Sequence, residues 1–336
     1  MAFGYIGVEP TNDNTANNGV FSLKDINKIT KDFNNSSETF TCTYVLVGGG
    51  GPGVNTYAGG GGGAGGVISC YNNQGGLGTL DTGVTISIGK LYPVIVGAGG
   101  TGQVGGTTQF HTLKAIGGGR GWGSGNRSDD GASGGGGGRA FNYENRGRSF
   151  PRALSDAQRL ILFGSTARQG FEGSQTSYEN YNFSGPGGGA GAGGAGNQTA
   201  GQAGVYCNIL TTAQATTVGV GENSGANVYF ASGGSAGNVA DGTAIGAAVG
   251  GGGNGGSTSV AGQTGATNTG GGGGGSGTVG TYSTGGSGVV ILRYPDTVTI
   301  TVGAGLTWYG SELSTGAGES IAVIKSGSGD VSWSKA

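Results

Sequence analysis

Between Thr39 and Val47 the side chains alternate with a period of two. Phe40, Cys42, Tyr44 and Leu46 lie on one side, with Thr39, Thr41, Thr43, Val45 and Val47 between them. That period predicts a strand with one strongly apolar face. Val84, Ile86 and Ile88 alternate with Thr85 and Ser87, and Tyr92, Val94 and Val96 follow across Gly89-Lys90, a spacing that predicts a hairpin. Thr107 to Ile116 and Val289 to Tyr294 predict two more strands, and Val228 to Phe230 a short one. Beyond Pro295 the pattern recurs in Val298-Ile300-Val302, Ile321 to Ile324 and Val331-Ser332-Trp333.

Helical spacing is rare. Ser22 is a candidate N-cap for a segment whose apolar side is Phe21, Leu23, Ile26, Ile29 and Phe33. This segment suits either docking onto a partner or packing on its own domain. Ser155 to Phe163 predicts a second short helix.

Between the strands lie glycine tracts: Gly48 to Gly51, Gly59 to Gly66, Gly134 to Gly138, Gly185 to Gly196, Gly250 to Gly256 and Gly270 to Gly277. As loops they would be costly, because glycine loses the most backbone freedom on ordering. Repeated so often, they point to a collective structure: packed polyglycine helices of the polyproline-II type, with about three residues per turn. Without Cβ atoms such helices approach closely and bond sideways, satisfying the N–H and C=O groups that the isolated helix leaves open. Ala190, Ala192 and Ala195 would then face outward or fill gaps; flexible linkers are the alternative. The expected fold is mainly β, an antiparallel core with packed polyglycine helices and very little α-helix. The expected organisation is an N-terminal attachment segment, 1–37, followed by a glycine-rich β domain, 38–295, with insertions at 139–184 and 205–232. A small C-terminal β segment, 296–336, completes it.

Composition sharpens this reading. The 336 residues include 86 Gly and six Pro, yet also three Trp, 13 Tyr and 11 Phe, too many for a disordered chain. Charged residues make up 10%, against about 25% in an ordinary soluble domain. A net charge of −2 favours neither nucleic acid nor an anionic membrane. Cys42, Cys70 and Cys207 are too few for a disulfide framework and read as small buried hydrophobes, with a single bridge left open. No apolar stretch approaches the roughly 20 residues of a membrane span. The first residues lack a basic region followed by an apolar one, so no secretory signal is expected there.

Catalytic patterns are poor. His111 is the sole histidine and reads as structural, since one His builds neither a zinc cluster nor a full triad. Gly97 to Gly102 satisfies the dinucleotide spacing with no helix after it. Gly131 to Gly135 and Gly233 to Gly237 match a nucleophile-elbow spacing that a chain rich in Gly and Ser produces freely. Neither an enzyme nor a cofactor or metal site is expected.

The segment Phe40 to Gly51 resembles the opening of the glycine-rich domain found in phage tail fibres and other virion proteins. So do Gly61 to Ile68, Tyr92 to Gly100, Ala115 to Gly119 and the closing Gly285 to Pro295. The terminal segments resemble those of phages infecting marine bacteria, including cyanobacteria. The resemblance implies a virion structural protein, often at the distal end of a fibre. Assembly in a host cytoplasm and a place on the virion surface would follow. It implies contacts with other virion proteins through residues 1–37, a host-surface glycan or outer-membrane receptor, and a homotrimer or a monomeric tip cap. A head fibre, a capsid-decorating protein or a host-encoded extracellular filament are the alternatives.

Arg120, Arg127, Arg139, Arg146, Arg148, Arg152, Arg159 and Arg168 supply half of the 16 basic residues, interleaved with Trp122, Phe141, Tyr143 and Phe150. Guanidinium groups beside aromatic rings suit anionic sugars, through bidentate bonds and stacking. Arg120, Trp122, Arg127, Arg139, Phe141, Tyr143, Arg146, Arg148 and Phe150 are therefore the receptor-binding candidates. An inter-subunit contact and a plain solvated surface remain the other readings. There is no RGG repeat, and Asp129, Asp130, Glu144 and Asp156 dilute the charge, so nucleic acid is not the expected partner.

Overall fold

The computed structural model describes residues 38–54, 59–71, 74–75, 81–123, 129–137, 155–165, 169–173, 200–238, 246–277 and 282–336. Strand outweighs helix, 33% to 6%. The main sheet is antiparallel and nearly closed into a barrel. Its spine runs β2 (Val67–Ser69), β1 (Thr39–Val47), β11 (Val289–Pro295), β15 (Glu319–Lys335), β5 (Tyr92–Ile95), β6 (Thr108–Phe110) and β7 (Leu113–Ala115). β4 (Val84–Ser87) extends it on β1, and β12 (Val298–Val302), β13 (Leu306–Trp308) and β14 (Leu313–Ser314) pair along β15. A second sheet has the order β3 (Gln74–Gly75), β8 (Val205–Cys207), β10 (Asn227–Phe230) and β9 (Glu222–Ser224).

Both faces of the central strands are covered. Cys42, Tyr44 and Leu46 join Val290, Leu292, Tyr294, Ala322 and Ile324 in one core. Val45, Val47, Val289, Ile291, Ile321 and Val323 join the other, against β8, β10 and their helix. A strand buried on both sides reads as a continuous apolar run, which is why Val-Val-Ile-Leu and Ile-Ala-Val-Ile do not alternate. Trp333 anchors the first core, edge-on to Phe40, Tyr92, Phe110 and Tyr294 at centroid distances of 5.6 to 6.4 Å, an arrangement aromatic rings favour.

Three local expectations change. Gly89 turns the chain with φ 80, and Lys90 N donates to Ser87 O. Yet β4 and β5 are not partners: β4 pairs with β1, and β5 with β15 and β6. Gly89 N donates to Trp333 O at the end of β15. The run 107–116 is two strands, because His111 takes φ 53 and turns β6 back onto β7. Residues 296–336 are β, as expected, and enter the main sheet through β15.

The helix at 155–163 is present as α1 (Asp156–Phe163), with Ser155 and Gln158 forming a capping box. A second, α2 (Thr212–Val218), was not expected, since Thr-Ala-Gln-Ala-Thr-Thr-Val has almost no apolar stripe. Its signal is the cap: the Thr211 side chain accepts from Gln214 N, and the Gln214 side chain accepts from Thr211 N.

The glycine tracts continue the strands as rods. Along the rod 48–54, Gly48, Gly51 and Val54 donate to Gly66, Gly63 and Gly60, stepping by three down one antiparallel neighbour. Gly50 and Gly53 donate to Gly286 and Ser283, and Gly49 donates to Gly106. Successive amides thus point to three different neighbours. Gly118, Gly273 and Gly100 donate back to Gly49, Gly51 and Gly50. Six segments therefore surround this rod: 59–66, 116–122, 101–107, 96–100, 282–288 and 270–277. Further rods extend the array. Gly59, Gly62 and Gly65 donate to Ser276, Gly273 and Gly270, and Ser232, Ser235 and Asn238 donate to Gly250, Gly253 and Gly256. The hydrogen bonds along these segments thus recur every third residue.

Close approach dictates the residue type. A Cβ on Gly50 would lie closer than 3.0 Å to the backbone of Gly271, and one on Gly51 would do the same at Gly119. Gly246 has open space around the same position and no left-handed φ. Gly50→Ala is expected to lower the unfolding free energy by about 3 kcal/mol or more, as overpacking against unyielding backbone does. Gly246→Ala should leave it within about 0.5 kcal/mol. Urea titration of the two variants beside wild type checks the contrast.

Candidate functional site

The register of the rods fixes which end of the bundle is which. Gly48, next to the sheet, is level with Gly66, whereas Val54 is level with Gly60 and Ser276. The returns 100–105 and 257–260, and the rod ends at 54, 59, 122, 129, 277 and 282, therefore lie away from the sheet. Asp129 N donates to Arg120 O there, and Ser257 N to Val260 O across the second return.

Side chains with chemistry gather at this tip. The Arg120 Nε lies 2.9 Å from an Asp129 carboxylate oxygen, and Nη1 donates to Gly102 O at 2.8 Å. Its guanidinium sits over the Trp122 ring, 3.9 Å from the centroid. Gly102 makes the turn with φ 81, and the Tyr282 ring lies 3.8 Å from where a Cβ would stand there. Tyr282 itself is 46% exposed, and Val104 and Val260 are similarly open. Arg120 is thus held by three partners and serves to orient Trp122, while Tyr282 offers its ring to solvent. Sequence reasoning missed Tyr282 and gave Asp129 only a diluting role; an aromatic side chain inside a glycine-rich return was the available signal.

Of the nine receptor candidates, Arg120 and Trp122 are brought together. Arg127, Arg139, Phe141, Tyr143, Arg146, Arg148 and Phe150 lie outside the described residues, as do Phe21, Leu23, Ile26, Ile29 and Phe33. The chain leaves the described region toward Arg127 at Gly123 and toward Arg139 at Gly137, just after Gly136 N donates to Gly61 O.

The remaining motifs sit in structural roles. His111 is edge-on to Tyr92 at 5.3 Å. Ser133 and Ser235 are fully buried in the rod array, and the Ser235 hydroxyl donates to Gly246 O at 2.8 Å. Among the described residues no group of His, Cys, Asp and Glu could hold a metal ion, and no helix is long and apolar enough to cross a membrane. Glu222 ties the second sheet to the bundle by accepting from Gly250 N and Gly251 N, both at 2.7 Å.

Cys42, Cys70 and Cys207 are free thiols. Burial pushes Cys70 and Cys207 up to about 11 and Cys42 higher still. Cys70 nevertheless accepts from Tyr44 N at 3.2 Å. The Tyr44 hydroxyl, also raised by burial, donates to Asp81, which accepts from Ser165 at 2.6 Å as well.

A scaffold of hydrogen-bonded glycine rods on a β sheet is a glycine-rich domain. The chain belongs to the glycine-rich domain family, whose model matches residues 30–295. Comparison with curated proteins and with solved structures finds no match.

Two outcomes follow from this geometry. Cys42 and Cys207 should resist a thiol reagent in the folded chain and react fully in urea. An exposed thiol ionises near about 8.5, so the unfolded chain releases protons that the folded one keeps. Stability is therefore fully present below about pH 8.5 and falls as pH rises toward 11, read from the urea midpoint at pH 7, 9 and 11. At the tip, Arg120→Gln should lower stability by no more than about 1 kcal/mol, as a partly exposed ion pair implies, while shifting the Trp122 emission.

Proposed function

We propose that the chain is a structural and adhesive protein of a bacteriophage particle, a tail fibre or fibre tip that holds loops out toward a host surface. The observation that carries this reading is the gathering of the described returns at one end of the bundle, with Arg120, Trp122 and Tyr282 among them. Loops on a stiff scaffold are the usual place for recognition. A body held by backbone bonds and few ion pairs also suits variable salt, since little of it depends on charges that ions screen.

The partner is a host-surface glycan or an outer-membrane receptor. Tyr282 and Trp122 supply flat faces for sugar rings, and the arginines of residues 127–148 supply planar donors for carboxylate or sulfate. Display in a homotrimer raises avidity without strong single contacts. Residues 1–37 would attach the chain to other virion proteins, with Leu23, Ile26 and Ile29 as the apolar side.

Purified chain should bind immobilised bacterial surface polysaccharide. Trp122→Ala with Tyr282→Ala is expected to weaken that binding at least about tenfold, roughly the 1.4 kcal/mol of one lost stacking contact, with the melting midpoint unchanged. Replacing Arg139, Arg146 and Arg148 with Ser should weaken attachment to cells in the same way. Binding unaffected by either set, or absence of the chain from purified particles, would overturn the reading. A label at residue 1, imaged on intact particles, distinguishes a tail position from a head position.

A further inference from the structure

The second sheet has two unlike faces. Val205, Cys207, Val228 and Phe230 are buried in the core shared with the main sheet. Tyr206 and Tyr229 alternate with them and are half-buried, so the period of two puts both rings on the outer face. They are direct cross-strand partners, with ring centroids 5.9 Å apart and planes at 65°. β9 pairs on the other edge of β10 and sets Glu222 opposite Tyr229, on that same face. Just beyond β10, Ala231 N donates to Thr269 O, level with the start of the rods. The face therefore stands at the sheet end of the molecule, away from the tip.

Polar groups frame the two rings and are already fixed. One Glu222 carboxylate oxygen accepts from Gly250 N and Gly251 N, both at 2.7 Å, and the other has no hydrogen-bond partner among the described residues. Asn208 Nδ2 donates to Asn227 Oδ1 at 2.7 Å, and Asn208 Oδ1 accepts from Val228 N at 3.1 Å. That leaves Asn227 Nδ2 and both tyrosine hydroxyls unpaired among the described residues. A cross-strand tyrosine pair alone would serve the sheet. Here it is joined by a carboxylate oxygen, an amide donor and two hydroxyls, all open to one surface.

We infer that this face is a binding site for a neutral sugar. A pyranose ring has an apolar face of C–H groups and a rim of hydroxyls, and the outer face offers the complement of both. Tyrosine presents an apolar ring with a polar tip. The free Glu222 oxygen accepts from a sugar hydroxyl, and Asn227 Nδ2 donates to one. Because these groups sit on strands and are held by bonds to Gly250, Gly251 and Asn208, little ordering cost is left to binding. The carboxylate also sets the class of sugar: it repels uronic and other acidic sugars, which the arginines near the tip would attract. The inference rests on the second sheet alone and is independent of what the tip binds.

Saturation-transfer NMR on the full chain tests it, with the methyl glycosides of glucose, galactose, mannose and N-acetylglucosamine as probes beside glucuronic acid. At least one neutral glycoside is expected to give ring-proton enhancement. Tyr206→Ala with Tyr229→Ala should raise its Kd at least about tenfold, whereas Trp122→Ala with Tyr282→Ala should leave it unchanged. Glu222→Gln keeps the shape and removes the charge, so it should admit glucuronic acid where wild type does not, a change that a purely structural role would not produce. Amide shifts on wild type supply the check that needs no variant to fold: those of Glu222, Asn227 and Tyr229 should move as the glycoside is added. No enhancement from any of the four glycosides overturns the inference, as do enhancement that survives loss of both tyrosines and shifts confined to other parts of the chain.

Discussion

The structure depends on one spatial requirement: backbone must meet backbone at hydrogen-bond distance from three directions in turn. A strand in a sheet bonds in one plane and leaves its side chains two free faces. The stretch 48–51 bonds all round, to six neighbours, and has no free face on which to put a side chain. Glycine follows from that geometry, and the burial of a large amount of peptide without a conventional hydrophobic interior follows from glycine. Each N–H along rod 48–54 finds a carbonyl, so the polar backbone is satisfied there without water.

The sheet and the bundle are one construction, since the same segments build both. β1 becomes rod 48–54, β7 becomes rod 116–122, and rods 59–66 and 282–288 become β2 and β11. Hydrophobic packing sets the register at one end, through Tyr44, Leu46, Val290, Leu292 and Trp333. That register is passed along the backbone to the glycine tracts, which carry no side chains to choose a register for themselves. The aromatic cluster around Trp333 thus positions the loops at the far end.

Much of this was legible in the sequence, and the illegible parts have physical causes. Period-two alternation located β1, β4 and β5, a continuous apolar run located β11, and the number and length of the glycine tracts pointed to lateral packing. Partner choice was hidden. Gly89-Lys90 has the residues of a hairpin turn, but β4 takes β1 as its partner and β5 takes β15, more than two hundred residues later. α2 escaped because its stability comes from its cap and from Ala215 and Val218 rather than from an apolar stripe. At the tip, Arg120 and Trp122 were chosen by type, yet Tyr282 and Gly102 join them only because distant rods end side by side.

β15 also falls outside the segment the family shares, which closes at Pro295 with β11. It nevertheless lies between β11 and β5 in the main sheet and accepts three further strands along its length. Because β15 follows the other described strands, β5, β6 and β7 have no link to β1 and β11 through this sheet until it has been synthesised. During translation the sheet therefore carries an open seam between β11 and β5 that closes only when β15 emerges.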